Sequence, residues 1–153
     1  MFAASRRYVS EEAIRWRGYY HGKNALKPCI ESILLVQKPI SEARMIDNVR
    51  IHGCGGMNIG ALQDRYDEWP SNMFTYRKAD KSERLSDHPC VKPVSLIQDL
   101  CLLVCPAGGR ILDPFGGTGT TAIAARACGF DCVLIEQDPT MERVIRERLA
   151  RMS

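Results

Sequence analysis

"RILDPFGGTGTTAIAARACG", residues Arg110 to Gly129, is the stretch that decides the fold. A short apolar strand ends at Asp113. Pro114 and Phe115 follow, then a glycine loop, then an alanine-rich helix from Thr120 to Cys128. Gly129 is placed to close that helix, because glycine adopts the left-handed conformation with which many helices end. A strand, a glycine loop and a helix in this order suit a bound nucleotide-like group. The glycines let the backbone approach it, and the first helical turn offers free N–H groups.

The pattern continues on both sides. Downstream, "DCVLIE" from Asp131 to Glu136 reads as a buried strand. Asp138-Pro139 is a good N-cap and first-turn pair. Met141, Val144, Ile145 and Leu149 then mark one face of a final helix. Upstream, Pro93 suits a helix start. Val94, Ile97, Leu100, Cys101 and Val104 recur at helical spacing until Pro106 and Gly108-Gly109 end the run. Helix, strand, helix, strand, helix is the rhythm of an α/β protein with a doubly wound, mostly parallel sheet. The first two thirds are less regular. Ser10-Glu11-Glu12 opens a short helix, and Glu31 to Pro39 is the strongest strand signal there. "IHGCGGMNIG" reads as a glycine-rich loop, and residues 64–87 as a long polar excursion with scattered aromatics.

Length and composition set the bounds. A chain of 153 residues suits one domain with one core. The 45% hydrophobic and 25% charged content excludes a disordered chain. No apolar run approaches the roughly 20 residues of a membrane span, and the first residues lack the apolar core of a signal peptide. Seven cysteines include two C-x3-C pairs, Cys101/Cys105 and Cys128/Cys132. Zinc sites favour C-x2-C pairs on loops, so reduced, mostly buried thiols and no metal are expected. These features point to a cytoplasmic protein. Net charge is +4 over residues 1–92 and −1 over residues 93–153. The basic first part permits a nucleic-acid partner without requiring one.

Two ligands compete for the glycine loop. Gly117-Thr-Gly119-Thr-Thr-Ala122 matches the dinucleotide pattern G-x-G-x-x-A, with Glu136 placed to grip a ribose. A P-loop lacks its lysine. Asp113 argues against a dinucleotide, because a carboxylate before the loop repels a pyrophosphate. It suits a ligand bearing ammonium and sulfonium charge. Only 17 residues follow Glu136, too few for the second half of a dinucleotide fold. S-adenosyl-L-methionine fits both acids, with Asp113 toward the methionine part and Glu136 on the ribose hydroxyls. NAD binding stays as a remote alternative.

Three stretches carry a family resemblance. His88-Pro89-x-Val91-Lys92-Pro93, Asp113-Pro-Phe-x-Gly-x-Gly-Thr120 and "LIEQDP" together resemble the C-terminal half of bacterial and phage DNA amino-methyltransferases. Their order is similar to the β-type arrangement, in which the cofactor half follows the catalytic half. The resemblance implies a Rossmann-like, S-adenosylmethionine-dependent methyltransferase domain over residues 1–153. Residues 1–40 would be its target-pocket strand region, 41–87 a variable, target-recognition-like connection, and 88–153 its cofactor half. It also implies double-stranded DNA as substrate, methylated at adenine N6 or cytosine N4 of a flipped base, in restriction–modification or phage settings. The implied cofactor-binding residues are Lys92, Pro93, Asp113, Phe115, Gly117, Thr118, Gly119, Thr120, Glu136 and Gln137. Thr118 and Thr120 would bond the cofactor carboxylate or cap the helix. His88 would contact the base or serve as a structural turn histidine, and Glu31 would order the pocket strand but reads better as an ordinary edge-strand acid.

One family element is missing. The Asp/Asn/Ser-Pro-Pro-Tyr/Phe tetrapeptide, which holds the target amine and stacks on the base, needs adjacent prolines. None of the eight prolines here adjoins another. No catalytic residue is therefore assigned, and an N-terminally incomplete fold is expected. Either a second polypeptide segment supplies the motif or the chain is a non-catalytic remnant that binds cofactor or DNA. The strand lacking would pair with Arg110–Asp113, so an open edge is expected there. Pro28-Cys29 and Pro89-Cys90 raise the Pro-Cys nucleophile of cytosine-C5 enzymes, but their flanks do not match.

Overall fold

The computed structural model describes residues 10–15, 17, 30–80, 83–84 and 91–151. The chain divides into two units, residues 1–36 and 37–153. In the first unit, α1 (Glu11–Arg15) places Glu11 and Glu12 in its first turn and Arg15 in its last, the arrangement that a helix dipole favours. Residues 30–36 of the same unit are not a strand.

The expected strand from Glu31 to Pro39 is thus not formed. Its residues suit a strand, and Leu34 and Val36 are 88% and 78% exposed. A strand needs a neighbour to receive its backbone bonds, and no described segment pairs with this one.

The second unit begins with two helices, α2 (Met45–His52) and α3 (Ile59–Tyr66). The sequence reading had a loop and an open excursion here, and the structure corrects it. The glycine loop is confined to the turn between the helices. Asn48, buried on α2, accepts from Ser41 N at 3.3 Å and donates to Cys54 O at 3.0 Å. It holds both flanks of that helix. Asn58 caps α3 by accepting from Ala61 N at 3.2 Å, and its own N–H donates to Leu103 O at 2.8 Å. Beyond α3, the connection runs without regular structure through the described residues to 80.

The remaining elements follow the expected order. They are α4 (Val94–Val104), β1 (Arg110–Asp113), α5 (Thr120–Ala127), β2 (Asp131–Leu134) and α6 (Pro139–Ala150). The two strands are parallel, with Arg110 opposite Asp131 and Asp113 opposite Leu134. Pairing continues past the strand ends, where Ile135 N donates to Asp113 O at 2.8 Å and Gly116 N to Ile135 O at 2.8 Å. α5 packs between α4 and β2. Its alanines make this possible: Ala124 and Ala125 are fully buried, and small side chains let the neighbouring backbones approach. Ile123, Cys101, Leu103, Leu62 and Val144 complete the core. On α4 the buried face is rotated from the expected one, taking in Asp99 and Leu103 and turning Val104 outward.

Among the described residues, β1 pairs with β2 alone. Leu112 and Val133, opposite each other, are 63% and 45% exposed. One apolar face of the strand pair is therefore uncovered within the described residues.

Candidate functional site

The site grows from the carboxyl ends of β1 and β2, where open α/β sheets hold ligands. Asp113 ends β1. Its Oδ1 accepts from Phe115 N at 2.9 Å, and its Oδ2 from the Thr121 hydroxyl at 2.6 Å. These two bonds fix the turn into the loop and aim the carboxylate along it. Glu136 lies two residues past β2. Its Oε2 accepts from Gly117 N at 2.6 Å and its Oε1 from Asp138 N at 2.9 Å. The N–H groups of Asp138, Gly117 and Gln137 hold this carboxyl below the usual carboxylate range. Each carboxylate oxygen has two lone pairs, so both groups keep capacity for a further donor.

The loop between them is tightly seated. Gly116 is closely seated, since a Cβ there would stand 3.2 Å from Leu134 Cβ. Gly117 and Gly119 have φ of +51° and +79°, which glycine takes without strain. Gly119 also lies against Ile145 of α6. Phe115 projects from the loop and is 87% exposed beside the Asp113 carboxylate.

Several expected residues come together here: Asp113, Phe115, Gly117, Gly119 and Glu136 share one end of the strand pair. Gln137 is exposed next to them. Lys92 and Pro93 stand at the head of α4, where Pro93 is the N-cap and Val94 N donates to Glu83 Oε1 at 3.0 Å. Thr118 and Thr120 are placed differently from expectation. Both are buried, and their hydroxyls accept from Arg148 Nη1 at 2.9 and 3.1 Å. No side chain caps α5, whose N-cap is Gly119. His88, Pro89, Cys90, Pro28 and Cys29 lie outside the described residues.

Sequence reasoning missed two polar residues of the interior. Arg148 sits on the apolar face of α6, one turn after Val144, and is 4% exposed. The signal was a lone basic residue in a stripe of apolar ones. Asp99 on α4 is completely buried. The hydroxyls of Tyr66 and Tyr76 both donate to its Oδ2. Arg65 Nε lies 3.2 Å from its Oδ1, without hydrogen-bond alignment. Burial and these neighbours raise the Tyr76 phenol well above its ordinary range. Of the described cysteines, Cys101 and Cys105 are buried, Cys128 and Cys132 are half-buried, and Cys54 is exposed. Burial pushes Cys101 up to about 12, and raises Cys105, Cys128 and Cys132 as well. Among the described residues no cluster of His, Cys, Asp and Glu suits a metal ion.

The sequence model of a family described as DNA methylase matches residues 7–147. The chain belongs to this DNA amino-methyltransferase family. The β1–α5–β2–α6 run is accordingly part of a Rossmann-like methyltransferase fold. Over 110 residues the chain is 34% identical to the type II methyltransferase M.HindIII of Haemophilus influenzae, covering 66% of this chain and 34% of that protein. Over 62 residues it is 36% identical to the type II methyltransferase M2.DpnII of Streptococcus pneumoniae, covering 40% and 23% respectively. The chain thus spans about a quarter to a third of the length of these curated relatives. A solved structure of TTHA0409, a candidate DNA modification methylase of Thermus thermophilus complexed with S-adenosyl-L-methionine, is 32% identical. It covers 51% of this chain and 39% of that one, with a TM-score of 0.39.

Proposed function

We propose that the site at the ends of β1 and β2 binds S-adenosyl-L-methionine and serves the methylation of DNA at adenine N6 or cytosine N4. One observation carries this reading: two carboxylates, Asp113 and Glu136, flank a glycine loop at the ends of neighbouring parallel strands, Asp113 held by the Phe115 N–H and the Thr121 hydroxyl and Glu136 by the N–H groups of Gly117 and Asp138. When bound, the cofactor supplies a methyl group on a cationic sulfonium. Asp113 favours the positive charge of its methionine part. Glu136, kept ionised, accepts from the ribose hydroxyls. The loop backbone at Gly117 to Thr120 faces the ligand, Phe115 covers it, and Lys92, Pro93 and Gln137 complete the rim.

The chemistry asked of the protein is chiefly placement, since the amine attacks the methyl group directly. No tetrapeptide with adjacent prolines lies in these 153 residues. No target-base contact is therefore assigned to these residues, whose part in the reaction is to hold the cofactor. The connection over residues 41–87 is the part suited to DNA backbone contacts; among its described residues Phe74 and Tyr76 stack at 6.3 Å, and Arg77 and Lys78 are exposed. Cationic side chains of this kind meet phosphates. A DNA substrate puts the protein in the cytoplasm of a bacterial or phage-infected cell. Among the described residues no helix is long and apolar enough to cross a membrane.

Calorimetry with S-adenosylmethionine and, separately, NAD tests the cofactor. Binding of the first alone is expected, and Asp113→Ala should abolish it. NAD binding without S-adenosylmethionine binding would overturn the reading, and unchanged affinity in Asp113→Ala would remove Asp113 from the site.

A further inference from the structure

Arg148 is the residue of α6 that the site description leaves without a task. Its Nη1 donates to the Thr118 carbonyl at 2.7 Å, the Thr118 hydroxyl at 2.9 Å and the Thr120 hydroxyl at 3.1 Å. One nitrogen with two hydrogens thus serves three acceptors, in the glycine loop and on the first residue of α5. The two threonines are 5% and 8% exposed, so these bonds lie behind the loop, away from the ligand side.

A buried guanidinium is costly unless it is well bonded. Burial draws its pKa down, and the Glu83 charge opposes that. A leucine at position 148 would avoid the cost of burying a charge, but would leave the loop acceptors without this donor. The loop has two positive-φ glycines, Gly117 and Gly119, and so has much backbone freedom to lose on ligand binding. A donor that removes this freedom beforehand raises affinity by preorganisation. Glu83 belongs to the other arm of the site. It shares reciprocal bonds with Asp80, at 3.0 and 3.1 Å, and accepts from Val94 N, next to Lys92 and Pro93.

We propose that Arg148 is a positioning residue for the cofactor loop, holding residues 117–120 in their binding conformation from behind without touching the ligand. The proposal rests on the reading of the loop as an S-adenosylmethionine site.

The test compares wild type, Arg148→Met and Arg148→Lys, with two readouts. The first is calorimetric affinity for S-adenosylmethionine. Arg148→Met is expected to bind about tenfold more weakly, and Arg148→Lys to recover part of the loss. The second is amide hydrogen exchange without ligand. Exchange of residues 117–121 should quicken in the variants while α4 keeps its protection. Wild-type affinity in both variants with unchanged loop exchange would overturn the proposal. So would uniform quickening across α4 and α5, or loss of cooperative unfolding in both variants, since Arg148 would then be a general core residue. Absence of binding in wild type would instead refute the cofactor reading, and the exchange arm would still decide whether Arg148 orders the loop.

Discussion

Gly119→Ala should be among the more damaging single-methyl additions in this chain. Two costs add at this position. Its φ of +79° lies where a residue with a Cβ loses about 1–2 kcal/mol. The new methyl would also stand 3.0 Å from Ile145 Cγ1, 3.1 Å from Cγ2 and 3.3 Å from Cβ. Overpacking of this kind costs about 1–3 kcal/mol. The expected loss is about 3 kcal/mol, a large share of the 5–15 kcal/mol that is ordinary for a domain. Gly108 is the internal control. Its φ is +69°, and a Cβ there meets nothing within 4 Å. Gly108→Ala should therefore cost only the conformational part, about 1–2 kcal/mol. Urea unfolding followed by circular dichroism gives both values. Ile145 separates the two costs further. Ile145→Val keeps both Cγ atoms and should not relieve Gly119→Ala, whereas Ile145→Ala removes them and should show a favourable coupling of about 1–2 kcal/mol. Equal losses for Gly108→Ala and Gly119→Ala, with no coupling to Ile145→Ala, would refute the claim that the loop rests on α6.

Two further expectations concern buried and bonded carboxylates. Glu136 is held below its ordinary value of 4.5, so it stabilises the fold above that value, and the contribution fades as pH falls through its lowered folded-state value. The unfolding midpoints of wild type and Glu136→Gln, followed from roughly pH 6 to pH 3, should converge on the acid side; parallel curves would show that the loop N–H groups do not hold the carboxylate. Asp99→Ala should destabilise by about 3 kcal/mol, because it strands two tyrosine hydroxyls and the Arg65 charge. A loss under about 0.5 kcal/mol by urea unfolding would mean that water replaces the carboxylate.

The part of the fold that sequence made legible is the part built from local signals. Asp138-Pro139 starts α6 where its capping chemistry predicts, with the Asp138 carboxylate accepting from Thr140 N at 2.9 Å. Gly129 leaves α5 with φ of +77°. Residues 31–39 failed as a strand because a strand's bonds lie in another segment, which local composition cannot supply. α2 and α3 were hidden by the glycines between them, although Asn58 and the spacing of Ile59, Leu62 and Tyr66 carried a usable signal. In the candidate site, both carboxylates and the glycines could be picked out because their residue types are unusual at a strand end. Arg148 carried a weaker signal, a basic residue inside the apolar stripe of α6. Its role depends on a loop 28 to 30 residues away, and on α6 alone it is one arginine among several.

The buried Asp99 also bears on how such proteins diversify. It belongs to the scaffold of α4, while the hydroxyls that satisfy it, on Tyr66 and Tyr76, belong to the connection. A connection transplanted from another protein would have to bring its own donors to the same point, or leave a bare carboxylate inside the scaffold. Exchange of this connection is therefore not free of the framework. A graft that keeps the positions of 66 and 76 should fold where one chosen only for its outer surface would not.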